Sequence, residues 1–240
     1  MAELVDALGL GSSVLATWRF KSSYRHYISI TMDSKWYKPD PRTFNSFNVF
    51  GRTIYHAYNC LTEEDIKGLR EEIDDELKNS LDNKDGYLQA TNELYRRRLK
   101  NDKCWKNFFK MVKDHLYRYA DITNDPSIKQ LKVHSYWAKR VSDVSEYEYY
   151  SQLYASYGNT HFHEGFELGV VYYLENPSRI FGTLIEDSGR EFIIPGDENS
   201  MIIHHSNVNH EAVLPPPKLS KDYPRTVIVV DFKRIEDERY

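Results

Sequence analysis

Two histidines, His161 and His163, stand one residue apart in the segment "THFHEGFELGVVYYLENP", residues 160–177. Residues two apart in an extended strand face the same side, so both imidazoles are expected to project together. Imidazole is the commonest metal ligand in proteins, and two on one face supply adjacent coordination positions. The pair alone is weak evidence, because paired surface histidines are common. A metal site therefore requires further ligands from elsewhere in the chain.

Two later features strengthen the metal hypothesis. The segment 195–216, "PGDENSMIIHHSNVNHEAVLPP", contains a Pro-Gly turn, a strand and then His210 ahead of another strand. The segment 224–232, "PRTVIVVDF", opens a final strand with Arg225. An ordered series of H-x-H, Pro-Gly, His and Arg is hard to obtain by chance. His204 and His205 are spare ligand candidates, but the stronger interpretation makes them strand residues, one facing the barrel wall and one facing solvent.

The segments around these residues are short and rich in β-formers. From residue 127 onward, runs such as "IKQLKVHSYWAKRV", "YEYYSQLYASY", "FELGVVYYL" and "RTVIVVDF" are separated by Gly, Pro, Asn and Asp at intervals near ten residues. Many short strands at this spacing predict an all-β sandwich or barrel with helices packed outside.

The preceding segment predicts one strand and two helices. The strand is expected near residues 49–55. The first helix starts after Thr62, a good N-cap residue, and repeats Ile66, Leu69, Ile73 and Leu77 at helical spacing. The second covers about residues 103–119 and has one apolar stripe, which predicts packing: Trp105, Phe108, Phe109, Val112 and Leu116.

The order of these motifs resembles the oxygenases that depend on Fe(II) and 2-oxoglutarate. The matching stretches read "HFH", "VVYYLENP", "FGTLIED", "IIPGDENSMII", "VNHEAVLPP" and "PRTVIVV", within roughly residues 130–235. The sequence is most similar to prolyl-hydroxylase-like enzymes and to an uncharacterised branch with H-x-H in the first ligand position. The resemblance implies a double-stranded β-helix, a jelly-roll or cupin-like barrel, with packed N-terminal helices.

The resemblance also implies roles for particular residues. His161 and His210 would be iron ligands, and Arg225 would pair with the far carboxylate of 2-oxoglutarate. Tyr154, expected on a strand before His161, would reach the same cofactor. His163 stands where the family usually has aspartate, so either His163 ligates, or Glu164 or Glu167 bends in, or water fills the position. Strand alternation turns Glu164 to the opposite face and favours His163.

The implied activity is hydroxylation of an unidentified peptide side chain or small metabolite, with 2-oxoglutarate and O₂ as co-substrates. One alternative is a cupin-like metal protein or an enzyme without 2-oxoglutarate, because "HFHEGFE" also fits ligation by His161, His163 and Glu167. However, His210 lies 14 residues after Gly196, later than a cupin places its last histidine. A non-catalytic β-barrel binding module is the other alternative.

Composition and charge indicate the cellular compartment and exclude some classes of partner. The formal net charge of −4 argues against a dedicated nucleic-acid partner. Cys60 and Cys104 are too far apart in sequence for a zinc knuckle, and without a secretory signal they indicate reduced thiols. No apolar run approaches the roughly 20 residues that span a bilayer. We therefore expect a cytoplasmic protein without a membrane partner.

Residues 1–31 are interpreted as a non-native extension, followed by a helical lead-in over 32–126 and an oxygenase core over 127–240. Residues 19–22, "RFKS", can be encoded by CGG TTC AAG TCC, which contains the T-arm sequence of a transfer RNA. The opening "MAELVDALG" likewise resembles a translated leucine tRNA gene. We therefore expect translation to start at Met32.

Removing residues 1–31 is expected to leave the melting temperature unchanged, because this stretch has no periodic apolar face to bury. Thermal unfolding of the full chain and of the chain that starts at Met32 checks this. A fall of several degrees after truncation would mean that the extension packs on the rest of the protein.

Overall fold

The computed structural model describes residues 44–79, 88–91, 94, 101–154 and 160–234. Within these residues the protein is mainly β. The strands are β1 (Phe44–Val49), β2 (Arg52–Tyr58), β3 (Leu88–Ala90), β4 (Lys132–Val141), β5 (Leu168–Glu175), β6 (Thr183–Asp187), β7 (Arg190–Ile194), β8 (Ser200–His205), β9 (Asn209–Ala212) and β10 (Arg225–Lys233). The helices are α1 (Glu63–Asn79), α2 (Asp102–Thr123), α3 (Glu146–Tyr154) and α4 (Pro217–Asp222), with a 3₁₀ helix at Pro126–Gln130.

The strands form two antiparallel sheets. The large sheet has the order β1-β2-β8-β5-β10-β4-β3, and the small sheet has the order β7-β6-β9. Side chains of both sheets share one apolar cluster, in which Val171 and Val229 of the large sheet meet Ile185 and Ile194 of the small one. The two sheets therefore face each other, and the predicted β-rich fold is confirmed.

The central strands of the large sheet are buried on both faces. Along β10, Val227 and Val229 belong to the cluster between the sheets, while Ile228 and Val230 belong to the core beneath the helices. This explains why "RTVIVVDF" is apolar almost throughout rather than alternating. The polar residues that do face the space between the sheets are therefore exceptions to an apolar surface.

Helices α1 and α2 cover the outer face of the large sheet, as predicted. The Thr62 hydroxyl accepts a hydrogen bond from the backbone N–H of Asp65, which caps α1. Trp105 of α2 is buried and donates its indole N–H to Glu72 of α1 at 3.0 Å. The apolar stripe of α2 packs into the same core as Ile228, so its predicted structural role is confirmed.

Two predicted strands are wrong in detail. The strand expected near residues 49–55 is interrupted by a turn at Phe50 and Gly51, which both have positive φ, so β1 and β2 form a hairpin. Because β2 pairs with β8, the expected helical lead-in also supplies strands to the large sheet.

The second error concerns "YEYYSQLYASY", which was predicted as a strand; its described part, up to Tyr154, belongs to α3. Ser145 and Glu148 make a reciprocal capping box, in which the Glu148 N–H donates to the Ser145 hydroxyl and the Ser145 N–H donates to the Glu148 carboxylate. This local start signal outweighs the β-propensity of the tyrosines. Tyr154 consequently lies in a helix and not on a strand.

The proposed extension over residues 1–31 and the start at Met32 lie outside the described residues. No helix in the described part of the chain combines the length and the apolar character that crossing a bilayer requires.

Candidate metal centre

Backbone pairing brings the two ends of the histidine motif together. His161 forms an isolated antiparallel bridge with His210, in which each backbone N–H donates to the other residue's carbonyl, at 3.0 and 2.9 Å. The His163 N–H donates to the Ser206 carbonyl at 2.9 Å. The segment before β5 is thereby fixed against the turn between β8 and β9. Residues that are 49 positions apart in sequence become neighbours because of this pairing.

Three imidazoles converge at this point. One nitrogen from each of His161, His163 and His210 lies within 4.8 Å of those of the other two. His161 is exposed, whereas His163 and His210 are 9% and 5% exposed. The cluster therefore has a buried base and an open side, which a catalytic metal site requires for exchangeable ligands.

Hydrogen bonds fix the tautomers of the two buried rings. His163 donates its Nδ1–H to the Asp231 carboxylate at 2.5 Å, and His210 donates its Nδ1–H to the Val208 carbonyl at 2.9 Å. Both Nε2 atoms are left with a free lone pair for a metal ion. Burial, and then the neighbouring histidines, lower the pKa of His210 well below its usual value, so its ring is neutral at physiological pH.

Asp231 of β10 is a member of the site that sequence reasoning missed. Its side chain is 2% exposed, and its second oxygen accepts a hydrogen bond from the Ser135 hydroxyl at 3.3 Å. A buried carboxylate behind a metal-binding imidazole orients the ring and raises its basicity. The available signal was a single acidic residue in an otherwise apolar strand, "RTVIVVDF".

A fourth histidine lies behind the cluster. His204 is fully buried, with its ring centroid 4.6 Å from that of His210, and its Nε2 has no hydrogen-bond partner in the described structure. Gly169 faces it on β5, where an added Cβ would lie 3.0 Å from the His204 ring. The glycine therefore makes room for the imidazole. His204, a spare ligand candidate in the sequence, therefore faces inward beside His210, whereas His205 is partly exposed.

The two alternative carboxylate ligands lie outside the cluster. Glu164 is exposed, and the Glu167 carboxylate accepts a hydrogen bond from the Arg234 N–H at 3.0 Å. The structure thus brings His163, and neither glutamate, to the two other histidines. The cupin-like set of His161, His163 and Glu167 is not assembled.

Arg225 opens β10 on the same face as Asp231. It is 2% exposed, and it donates from Nε to the Phe181 carbonyl at 2.8 Å and from Nη2 to the Gly182 carbonyl at 3.1 Å. Its guanidinium carbon lies 5.5 Å from the centre of the Tyr173 ring. These two bonds occupy one edge of the guanidinium, and the neutral Tyr173 hydroxyl is a further hydrogen-bond partner of the group.

The donor set fits a first-row transition metal. Neutral imidazoles suit Fe, Zn, Cu and Ni, whereas Mg and Ca prefer oxygen ligands. With Asp231 behind His163, the site supplies one negative charge close to a divalent ion without a carboxylate in contact with it. The arrangement can therefore hold a metal that keeps open positions for other ligands.

No family model matches the sequence, and no curated protein does. Solved structures match over most of the chain. The dioxygenase for auxin oxidation 1 from Arabidopsis thaliana, in complex with 2-oxoglutarate, is 12% identical over 77% of this chain and 84% of its own, with a TM-score of 0.51. AviO1 from Streptomyces viridochromogenes is 11% identical over 75% and 89%, also with a TM-score of 0.51.

The non-heme α-ketoglutarate-dependent epimerase SnoN from nogalamycin biosynthesis is 13% identical over 75% of this chain and 76% of its own, with a TM-score of 0.50. At these identities the likeness establishes a shared fold. The resemblance predicted from the motifs is therefore confirmed at the level of the fold.

Proposed function

We propose that this protein is an Fe(II)- and 2-oxoglutarate-dependent oxygenase that hydroxylates a peptide side chain or a small metabolite. The observation that carries this proposal is the convergence of three imidazoles on the same inner surface as a buried arginine, within a fold shared with 2-oxoglutarate-dependent proteins. The histidine cluster alone would indicate only a metal site, and Arg225 alone would indicate only an anion site. The proposal requires both.

The strand order supports a double-stranded β-helix. After β5 in the large sheet, the chain passes to β6 and β7 in the small sheet, returns to β8, and then alternates once more through β9 and β10. The His161–His210 bridge adds a further pairing at the edge of the small sheet. This winding of one chain between two facing sheets is that of a jelly roll.

His161, His163 and His210 would hold Fe(II) through one nitrogen each. When bound, iron with 2-oxoglutarate and O₂ supplies the oxidising chemistry, which yields succinate, CO₂ and the hydroxylated substrate. The protein holds His163 in one orientation through Asp231 and His210 through the Val208 carbonyl. Its buried valines and isoleucines exclude water from the space between the sheets.

Arg225 and Tyr173 would bind the far end of 2-oxoglutarate. A guanidinium can present two N–H donors to one carboxylate, a geometry that lysine cannot reproduce. The Tyr173 hydroxyl lies 2.7 Å from the Thr183 hydroxyl and can add a hydrogen bond. Tyr154, the tyrosine implied by the family resemblance, lies at the end of α3 instead.

Anaerobic titration tests this function. Addition of Fe(II) and 2-oxoglutarate to the protein is expected to produce a weak visible charge-transfer band that requires both components. His210→Ala is the matched control and should abolish the band, since it removes a ligand. Iron binding without any band on addition of 2-oxoglutarate would contradict the proposal.

A metal-dependent enzyme that does not use 2-oxoglutarate is the second candidate. It is favoured by one observation, the absence of a carboxylate from the three-residue cluster among the described residues. In that case the metal would bind with similar affinity, and Arg225 would have no effect on any ligand at the metal. The same titration separates the two candidates.

A further inference from the structure

Lys139 lies on the inner surface of the site and has no role in the function proposed above. On β4, Ser135 contacts Asp231 and the Trp137 ring lies 5.9 Å from that of His163, so the alternate residues of this strand face the space between the sheets. Lys139 is the next residue in this row. Its exposed fraction is only intermediate, whereas lysine side chains in proteins are mostly exposed to solvent.

The pairing of β4 with β10 sets Lys139 beside Arg225. In the register of these strands Arg225 is opposite Val141 and Val227 is opposite Lys139, which makes Arg225 and Lys139 diagonal neighbours. Such neighbours start roughly 7–8 Å apart, within reach of long side chains. Two cationic side chains therefore point into the same part of the space between the sheets.

Among the described residues, these two cations have no protein counter-ion. Arg225 is bonded to two backbone carbonyls and to the neutral Tyr173 hydroxyl, and Lys139 makes no hydrogen bond or ion pair with the residues that the structure describes. Asp231, the acid on the same face of β10, is bonded to His163 and Ser135. Burial, and then the charge of Arg225, lower the pKa of Lys139, and Asp231 opposes this shift only in part.

Adjacent cations in a poorly solvated interior are costly unless an anion lies between them. A carboxylate bound to Arg225 would be within the range of the Lys139 ammonium and would relieve both the repulsion and the desolvation. A monoanionic carboxylate with two oxygens can accept from both residues at once.

We propose that Lys139 is a second cationic contact for the distal carboxylate of 2-oxoglutarate, beside Arg225. This inference rests on the proposed function of the same site. It assigns the selectivity of the pocket for dicarboxylic 2-oxo acids to two cations on neighbouring strands, where the function proposed above has Arg225 as the one cation beside Tyr173.

Lys139→Met is expected to weaken 2-oxoglutarate binding to the Zn(II)-loaded protein about tenfold and to leave Zn(II) affinity unchanged. Binding of 2-oxobutyrate, which has the same chelating end but no distal carboxylate, should be equal in the parent and the variant. Lys139→Arg should restore most of the affinity. Lys132→Met removes the same charge from an exposed position of the same strand and should have no effect.

The stability of the variant provides a second measurement. Without ligand, Lys139→Met should melt at a higher temperature than the parent, because it removes a poorly solvated charge that has no partner. If the methionine variant does not fold, Lys139→Gln takes its place in the same titrations.

Equal affinity of parent and variant for 2-oxoglutarate, or equal losses for both oxo acids, would overturn this assignment of Lys139. Failure of the metal-loaded parent itself to bind 2-oxoglutarate would instead overturn the proposed function. The two failures are therefore distinguishable.

Discussion

Replacing Asp231 with asparagine is expected to weaken Fe(II) binding about 10- to 100-fold. The carboxylate accepts the Nδ1–H of His163 at 2.5 Å in a buried position, where it both fixes the ring and increases the electron-donating power of Nε2. Asparagine has nearly the same shape and keeps an oxygen acceptor, but it carries no charge. The variant therefore separates the charge of Asp231 from its size.

Anaerobic Fe(II) titration of parent and variant measures this effect, with thermal unfolding as the check on folding. Ser135→Ala is the matched control, because it removes the longer 3.3 Å contact to the same carboxylate and leaves the charge in place. Its Fe(II) affinity should stay within about threefold of the parent, since it breaks one neutral donor's hydrogen bond. Unchanged affinity in Asp231→Asn would mean that the carboxylate only fills space.

The position of Asp231 bears on the missing carboxylate ligand. In the oxygenases that the motif resembles, the position of His163 is usually an aspartate, and a histidine there would by itself leave a bound metal with neutral ligands only. Asp231, buried on β10, supplies one negative charge that is separated from the metal position by the ring of His163. We infer that this site keeps the net charge of a centre with two histidines and one carboxylate, although three histidines would contact the metal directly.

The parts of the site that follow from spacing along one segment were predictable. His161 and His163 are two residues apart, and the sequence predicts His210 beside one strand and Arg225 at the start of another, so the order of motifs was sufficient to nominate them. Helices α1 and α2 were also predictable, since Thr62 caps α1 and the apolar stripe of α2 has helical spacing.

The residues that the sequence did not reveal depend on register between strands that are distant in sequence. Asp231 meets His163, and Gly169 lies between Asp231 and His204, because β5 pairs with both β10 and β8. The hydrophobic periodicity of a single strand does not specify which residues of the neighbouring strands lie beside it. The capping box at Ser145 was legible, but the tyrosine-rich composition of α3 suggested a strand.

Arg225→Ala is expected to weaken 2-oxoglutarate binding by about 10- to 100-fold, which corresponds to the roughly 1.5–3 kcal/mol of hydrogen bonds to a charged group. Arg225 is 2% exposed, and a guanidinium can bind one carboxylate through two N–H donors. Arg225→Lys should recover only part of the loss, because an ammonium does not reproduce the planar fork. Fe(II) affinity without 2-oxoglutarate should hardly change, because Arg225 lies outside the histidine cluster.

His210→Ala should show the reverse pattern, since it removes one imidazole of the cluster. Fe(II) affinity should fall directly, and 2-oxoglutarate binding should fall only because the iron is no longer bound. The measurement is a pair of titrations on each variant, Fe(II) alone and then 2-oxoglutarate on the iron-loaded protein. Because Arg225 also bonds to the Phe181 and Gly182 carbonyls, thermal unfolding must first establish that Arg225→Ala is folded. If the folded Arg225→Ala variant binds 2-oxoglutarate as tightly as the parent, the co-substrate assignment fails, and a metal enzyme without 2-oxoglutarate becomes the better interpretation.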